Sequence, residues 1–202
     1  MNQSVRDVLV GLAGEDAVLG PEATEAFLGE GGESPGRPVV VAPLEAPQVA
    51  AVLSRATEEG WRVLPAGGGG WRRKGDGSGV QVIVTTRRMT RMEEYEPADL
   101  TFTAGAGLTL EGLAEATKAH GQWLPLDPPG GRDGTLGGVV ATAVPGPLRH
   151  LYGTARDHVL GLTTVSGDGR ILRWGGRVVK NVAGFDVTRL VTGSWGTLGV
   201  VT

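Results

Sequence analysis

The chain has 202 residues, of which 40% are hydrophobic and 20% charged, with a formal net charge of -3. That length suits one sizeable domain or two small lobes sharing an interface, and the composition excludes a disordered or membrane-spanning chain and argues against a nucleic-acid partner. The absence of cysteine excludes disulfides, thiolate zinc sites, a self-ligated iron–sulfur cluster and a catalytic thiol.

The start, Met1 to Asp7, lacks a basic region followed by an apolar stretch, and no run approaches the ~18 apolar residues of a spanning helix. A cytoplasmic address is expected, at most peripheral to the inner membrane through partners. Residues 1–37 read as an N-terminal arm with helical pieces at Val5–Leu12 and Glu22–Leu28, followed by a loop over Gly29–Pro38. Val39–Ala42 reads as a buried strand. After Pro47, the residues Val49, Val52, Leu53 and Ala56 recur at helical spacing until Gly60 stops them. Arg62–Pro65 is a second strand, which completes a parallel βαβ unit, and Val80–Val84 is a third.

Leu100–Ala104 alternates as a strand, and Thr109 is placed to cap a helix carrying Leu110, Leu113, Ala114 and Thr117 on one face. Trp123–Leu126 reads as strand-like, and Thr135–Thr142 as a short helix of small residues. Leu160–Ser166 and Arg170–Trp174 flank Gly167-Asp168-Gly169, a hairpin signal. The second half therefore reads as α+β with antiparallel pairing.

Thirty-five glycines gather in runs beside these strands. Pro65-Ala66-Gly67-Gly68-Gly69-Gly70-Trp71 follows a strand, so successive N–H groups can hold a diphosphate with no side chains in the way; the alternative is a flexible turn-rich loop. The run has neither the lysine pattern of a P-loop nor the spacing of a Gly-x-Gly-x-x-Gly dinucleotide turn. Gly105-Ala106-Gly107 serves either a ligand or the sterics of a strand-to-helix turn. Leu126-Asp127-Pro128-Pro129 with Thr135-Leu136-Gly137-Gly138 gives a rigid turn and a small-residue helix start, which suits a planar ring, a phosphate or tight packing.

These runs belong to an ordered series of motifs: Pro-x-Gly-Gly-Gly, Ala-Gly-x-Gly, Leu-x-Asp-Pro, Thr-Leu-Gly-Gly-x-x-Ala, Tyr-Gly-x-x-Arg-Asp-x-Val-Leu-Gly, Gly-Phe-Asp-Val and Gly-Ser-x-Gly-Thr-Leu-Gly-Val. From Pro38 to Thr202 the series resembles the FAD-binding domain of the vanillyl-alcohol oxidase / p-cresol methylhydroxylase family. Within it, Val178–Val187 and Gly193–Gly199 look most like the E-subunit type of glycolate oxidase.

The resemblance implies a two-lobed α+β fold with lobes near 38–95 and 96–202, and a substrate cap that is absent or truncated. It implies FAD, with Ala66–Trp71 and Thr135–Gly138 near the pyrophosphate and Ala141 and Thr142 a turn further on. Gly105, Ala106, Gly107, Leu126, Asp127, Pro128 and Pro129 would lie along the flavin, and Gly199, Val200 and Val201 against the adenine half. Relatives that attach flavin covalently use histidine, whereas this glycine loop ends in Trp71, so noncovalent FAD is expected. Many relatives also carry asparagines where this chain has Val139 and Ala143.

Other residues support no further chemistry. His120, His150 and His158 lack metal-ligand spacing, so no metal is expected. Arg72-Arg73-Lys74 reads as solvated loop, and Glu58-Glu59 and Glu93-Glu94 as solubilising carboxylates. Of Trp61, Trp71, Trp123, Trp174 and Trp195, only Trp71 earns a functional reading. No catalytic acid or base is named. The expectation is an FAD-binding subunit of a glycolate oxidase-type dehydrogenase for a small 2-hydroxy acid, partnered by a sibling flavin subunit and an iron–sulfur subunit. The alternatives are a noncatalytic assembly module and a stand-alone small flavin oxidase.

Overall fold

The computed structural model describes residues 4–28, 37–70, 79–176 and 185–202. Trp71, Arg72-Arg73-Lys74 and most of the Val178–Val187 motif therefore lie outside the described residues. The mixed α+β architecture holds a parallel sheet, a two-stranded hairpin and an antiparallel sheet.

The parallel sheet consists of β1 (Val39–Val41), β2 (Val63–Ala66) and β3 (Val82–Thr85), with α3 (Ala46–Glu58) between β1 and β2. Its order is β1-β3-β2, so the two strands of the expected βαβ unit are parallel but not neighbours. The third strand takes the centre because Val82, Ile83, Val84 and Thr85 are all fully buried, as a strand covered on both faces requires.

Alternation along the strands divides the core. Val41, Val82 and Val84 face α3 and α1 (Val5–Ala13), where they meet Leu9, Val49 and Val52. Val40 and Ile83 face α2 (Pro21–Leu28) and meet Phe27 and Leu28. The chain ahead of β1 also closes its outer edge, since Ala42 N–H donates to Ala17 O at 2.7 Å and Leu19 N–H to Val40 O at 2.9 Å.

After β3, Met92–Glu96 (β4) pairs antiparallel with Thr101–Ala104 (β5). The sequence reading missed β4, because its Glu93 and Glu94 are exposed and a bulge between Met92 and Glu94 breaks the alternation. The expected strand at Trp123–Leu126 is absent. Pro125 supplies no N–H, and Leu126 N–H turns back to Leu124 O at 2.9 Å.

α4 (Leu110–Thr117), α5 (Leu136–Thr142) and α7 (Ala155–His158) pack through Leu110, Val139 and Ala155, with the short α6 (Arg149–Tyr152) between α5 and α7 in sequence. The second sheet, ordered β7-β6-β8, pairs β6 (Gly161–Val165) with β7 (Ile171–Gly175) through the expected Gly167-Asp168-Gly169 hairpin. That hairpin rests on α3, where Thr57 Oγ1 donates to Gly167 O at 2.6 Å. α8 (Val187–Val191) leads to β8 (Val200–Val201). Among the described residues, no helix is long and apolar enough to cross a membrane.

Candidate functional site

The first wall of the site is built where β2 ends. The carboxyl ends of parallel strands are where open α/β sheets receive ligands. Ala66 O is held by Thr86 N–H at 3.0 Å, and Gly67 O by the buried Thr85 hydroxyl at 2.8 Å. With those carbonyls committed, the N–H groups of Gly67, Gly68, Gly69 and Gly70 have no acceptor among the described residues. A Cβ on Gly67 would collide with Thr135 Oγ1, so this loop approaches the second wall at backbone distance. Behind it, buried Phe27 lies 3.0 Å from where a Cβ on Gly69 would stand.

The second wall is Pro129–Gly134 with the start of α5. Thr135 caps this helix, its hydroxyl accepting from Gly138 N–H at 3.2 Å. Thr109 caps α4 in the same way, accepting from Gly112 N–H at 3.0 Å. The two caps form a bridge, with Leu110 N–H on Gly134 O (3.0 Å), Leu136 N–H on Leu108 O (2.8 Å) and Gly137 N–H on Ala106 O (2.8 Å). The first amides of α5 are therefore already satisfied. This wall contributes closeness through Gly137 and Gly138, and few free donors.

The third wall arrives from the carboxyl-terminal side. Gly193 N–H donates to Val140 O at 3.0 Å and Trp195 N–H to Ala141 O at 2.8 Å, which docks the turn after α8 onto α5. Trp195 sits in the left-handed region at φ 56, and Gly196 stacks on Pro65, where a Cβ would come within 3.1 Å of the ring. Thr202 N–H donates to Thr163 O at 3.1 Å, and Thr164 pairs with Val201. Bonded and non-bonded pairs alternate in an antiparallel ladder, so the Val201 N–H and C=O point away from β6 to the free edge of the sheet.

Together the walls enclose a cavity of about 360 Å³. It brings together Pro65, Ala66, Gly67, Gly68, Gly69, Gly70, Thr135, Gly137, Gly138, Ala141, Thr142, Gly199, Val200 and Val201 of the expected set. It does not bring Gly105, Ala106 or Gly107, whose glycines press on the Thr86–Met89 turn: a Cβ there would strike Met89 O or Thr86 O. Leu136 turns into the α4–α5–α7 cluster. Leu126, Asp127 and Pro128 line a separate narrow cleft of about 10 Å³, where both Asp127 carboxylate oxygens accept from Leu148 N–H at 3.2 Å.

Sequence reasoning missed Leu64, Thr86, Gly130, Gly131, Asp133, Gly134, Trp195 and Gly196 among the lining residues. Trp195 and Gly196 had a signal, since they lie inside the Gly-Ser-x-Gly motif; Thr86 had none. Asp133 is the sole formally charged residue among the described lining residues, and no histidine, lysine, arginine, glutamate or tyrosine is among them. The cavity offers main-chain donors and apolar surface, with no general acid or base pair among its described lining residues. The two carboxylates held below their ordinary range among the described residues are elsewhere. Asp157 is lowered chiefly by the Thr154 backbone N–H and then by its hydroxyl, and Asp168 chiefly by the Ser166 hydroxyl.

The fold is shared with a solved structure of alkyldihydroxyacetonephosphate synthase at a TM-score of 0.70 and 24% identity, covering 84% of this chain and 31% of that one. Residues 38–175 match the family described as FAD binding domain, and the chain belongs to that family. It is 47% identical over 109 residues to glycolate oxidase subunit GlcE of Escherichia coli (strain K12), covering 54% of this chain and 31% of that protein. It is 37% identical over 186 residues to D-lactate dehydrogenase of Archaeoglobus fulgidus, covering 92% of this chain and 39% of that protein. The chain thus spans under two fifths of these relatives' length. FAD is the cofactor of the family, and the relatives named are oxidoreductases.

Proposed function

We propose that this cavity holds FAD noncovalently, with the diphosphate on the Gly67–Gly70 amides and the adenine against the free edge of Val201. The observation that carries the reading is that four amides without an acceptor among the described residues meet a side-chain-free contact at Gly67 inside one cavity. Because a backbone nest binds anions without a cation, the scarcity of charged side chains in the lining fits a diphosphate held by peptide dipoles. The flavin, when bound, supplies the electron-accepting chemistry. The protein's own groups bind and orient: Thr86 and Thr85 turn the Ala66 and Gly67 carbonyls away, Thr135 closes the second wall, and Trp195 lines the third.

The chain then serves as the FAD-binding subunit of a glycolate oxidase-type dehydrogenase acting on a small 2-hydroxy acid. The likeness to a protein named as a glycolate oxidase subunit supports membership in a complex, with a sibling flavin subunit and an iron–sulfur subunit as partners. An arm over 1–37 and a binding domain over 38–202 are part of the same reading. A second reading, a noncatalytic assembly module, is favoured by Val139 and Ala143 and by the committed amides at the start of α5.

Purified protein separates them. The first reading predicts a yellow chain with one FAD released on acid precipitation, reduced anaerobically by glycolate or D-lactate only when partner subunits are added. Colourless protein that takes up no added FAD contradicts it and supports the second. Reduction by substrate without partners would make the chain a stand-alone oxidase.

A further inference from the structure

The Tyr152–Gly161 motif carries the family resemblance yet contributes no residue to the main cavity. Its Arg156 nevertheless reaches the third wall. Both Nε and Nη2 donate to the carbonyl of Thr192, at 3.3 and 3.1 Å. That carbonyl stands just past the last turn of α8, where main-chain oxygens lack helical partners and a cation is favoured.

From Thr192 the chain enters a turn with Gly193, Trp195 and Gly196 all at positive φ (88, 56 and 76), whose local bonds run from Ser194 N–H to Val191 O at 3.0 Å and from Thr197 N–H to Ser194 O at 3.1 Å and leave the Thr192 carbonyl to Arg156. Arg156 comes from a fixed base. Thr154 N–H and Oγ1 both donate to Asp157 Oδ2, at 2.7 and 2.9 Å, which caps α7, and buried Ala155 packs with Val139 of α5. The turn docks on the neighbouring carbonyls of that helix, Val140 O and Ala141 O. One helix thus anchors both the clamp and the clamped segment.

We propose that Arg156 is a positioning residue that, through the Thr192 carbonyl, holds the Gly193–Gly196 turn on α5 and thereby sets the wall for the adenosine end of the cofactor. The last clause rests on the FAD reading above; the clamp itself does not.

Two variants test it: Arg156→Met, which keeps the stem and removes the donors, and Arg156→Lys, which restores a single cation. Amide exchange in the unliganded protein should accelerate about tenfold or more at Gly193 and Trp195 in Arg156→Met, with Ile83 unchanged. The FAD dissociation constant should rise about tenfold, and Arg156→Lys should recover most of both effects. Unchanged exchange at Gly193 and Trp195, equal acceleration at Ile83, or no recovery with lysine would overturn the clamp. Faster exchange with unaltered FAD affinity would overturn its link to the cavity. If the unmutated chain takes up no FAD, the cofactor reading fails, while the exchange measurement still decides for or against the clamp.

Discussion

A methyl group on Gly67 would run into the Thr135 hydroxyl that caps Gly138, so the residue can be neither enlarged nor moved without disturbing α5. Gly67→Ala is expected to destabilise the unliganded protein by about 1–3 kcal/mol, the range for overpacking a closed contact, and to weaken FAD binding at least tenfold. Gly70→Ala meets nothing within 4 Å among the described residues, and its stability should match the unmutated chain. Urea denaturation of the two variants checks the contrast, and equal stability would count against the close approach. Residue type alone announced this contact, since only glycine permits it. At Gly105 and Gly107 an added Cβ would meet the carbonyls of Met89 and Thr86. A glycine signals that something comes close; the sequence does not say whether that is ligand or protein.

At the level of elements, the two threonine caps are chemically alike and differ in what they face. Thr109→Ala and Thr135→Ala should each cost about 1 kcal/mol through the lost cap. Only Thr135→Ala should also weaken FAD, because Thr135 lines the cavity and Thr109 does not. Thermal melts paired with flavin titrations would show it, and equal losses of affinity would contradict the assignment of walls. β8 permits a sharper test. Val201→Pro removes an N–H that makes no ladder bond, and proline is tolerated on an edge strand. Affinity for FAD should fall while affinity for FMN, which has no adenine, stays the same. The Thr109 cap, the short helix from Thr135, the hairpin at Gly167-Asp168-Gly169 and the strands β1 to β3 were legible because each is announced by a local signal. β4 was not, since its exposed glutamates hide the alternation, and the Gly-Ser-x-Gly motif that holds Trp195 gave no sign of the long-range docking onto α5 that brings it to the site.

Across the whole molecule, the order β1-β3-β2 was beyond local reading, because strand neighbours are chosen by burial on both faces and not by succession in the chain. The same packing joins distant parts: Leu9, fully buried in α1, shares its cluster with Val41 and Val84 of the parallel sheet and with Val165 and Val200 of the antiparallel one. Leu9→Ala should therefore cost about 2–5 kcal/mol, measured as a lower denaturation midpoint. Because β8 is set on that core, the variant should also loosen its hold on FAD. The site is the meeting of three segments far apart in sequence, held by this shared core.

Amide chemical shifts during titration of the isotopically labelled chain with FAD test that meeting most directly. The account predicts that Gly67–Gly70, Gly138, Trp195 and Val201 move together with one saturation curve at one FAD per chain. Shifts confined to one of these segments, or centred on the Gly105–Gly107 turn and leaving Gly67–Gly70 still, would contradict it.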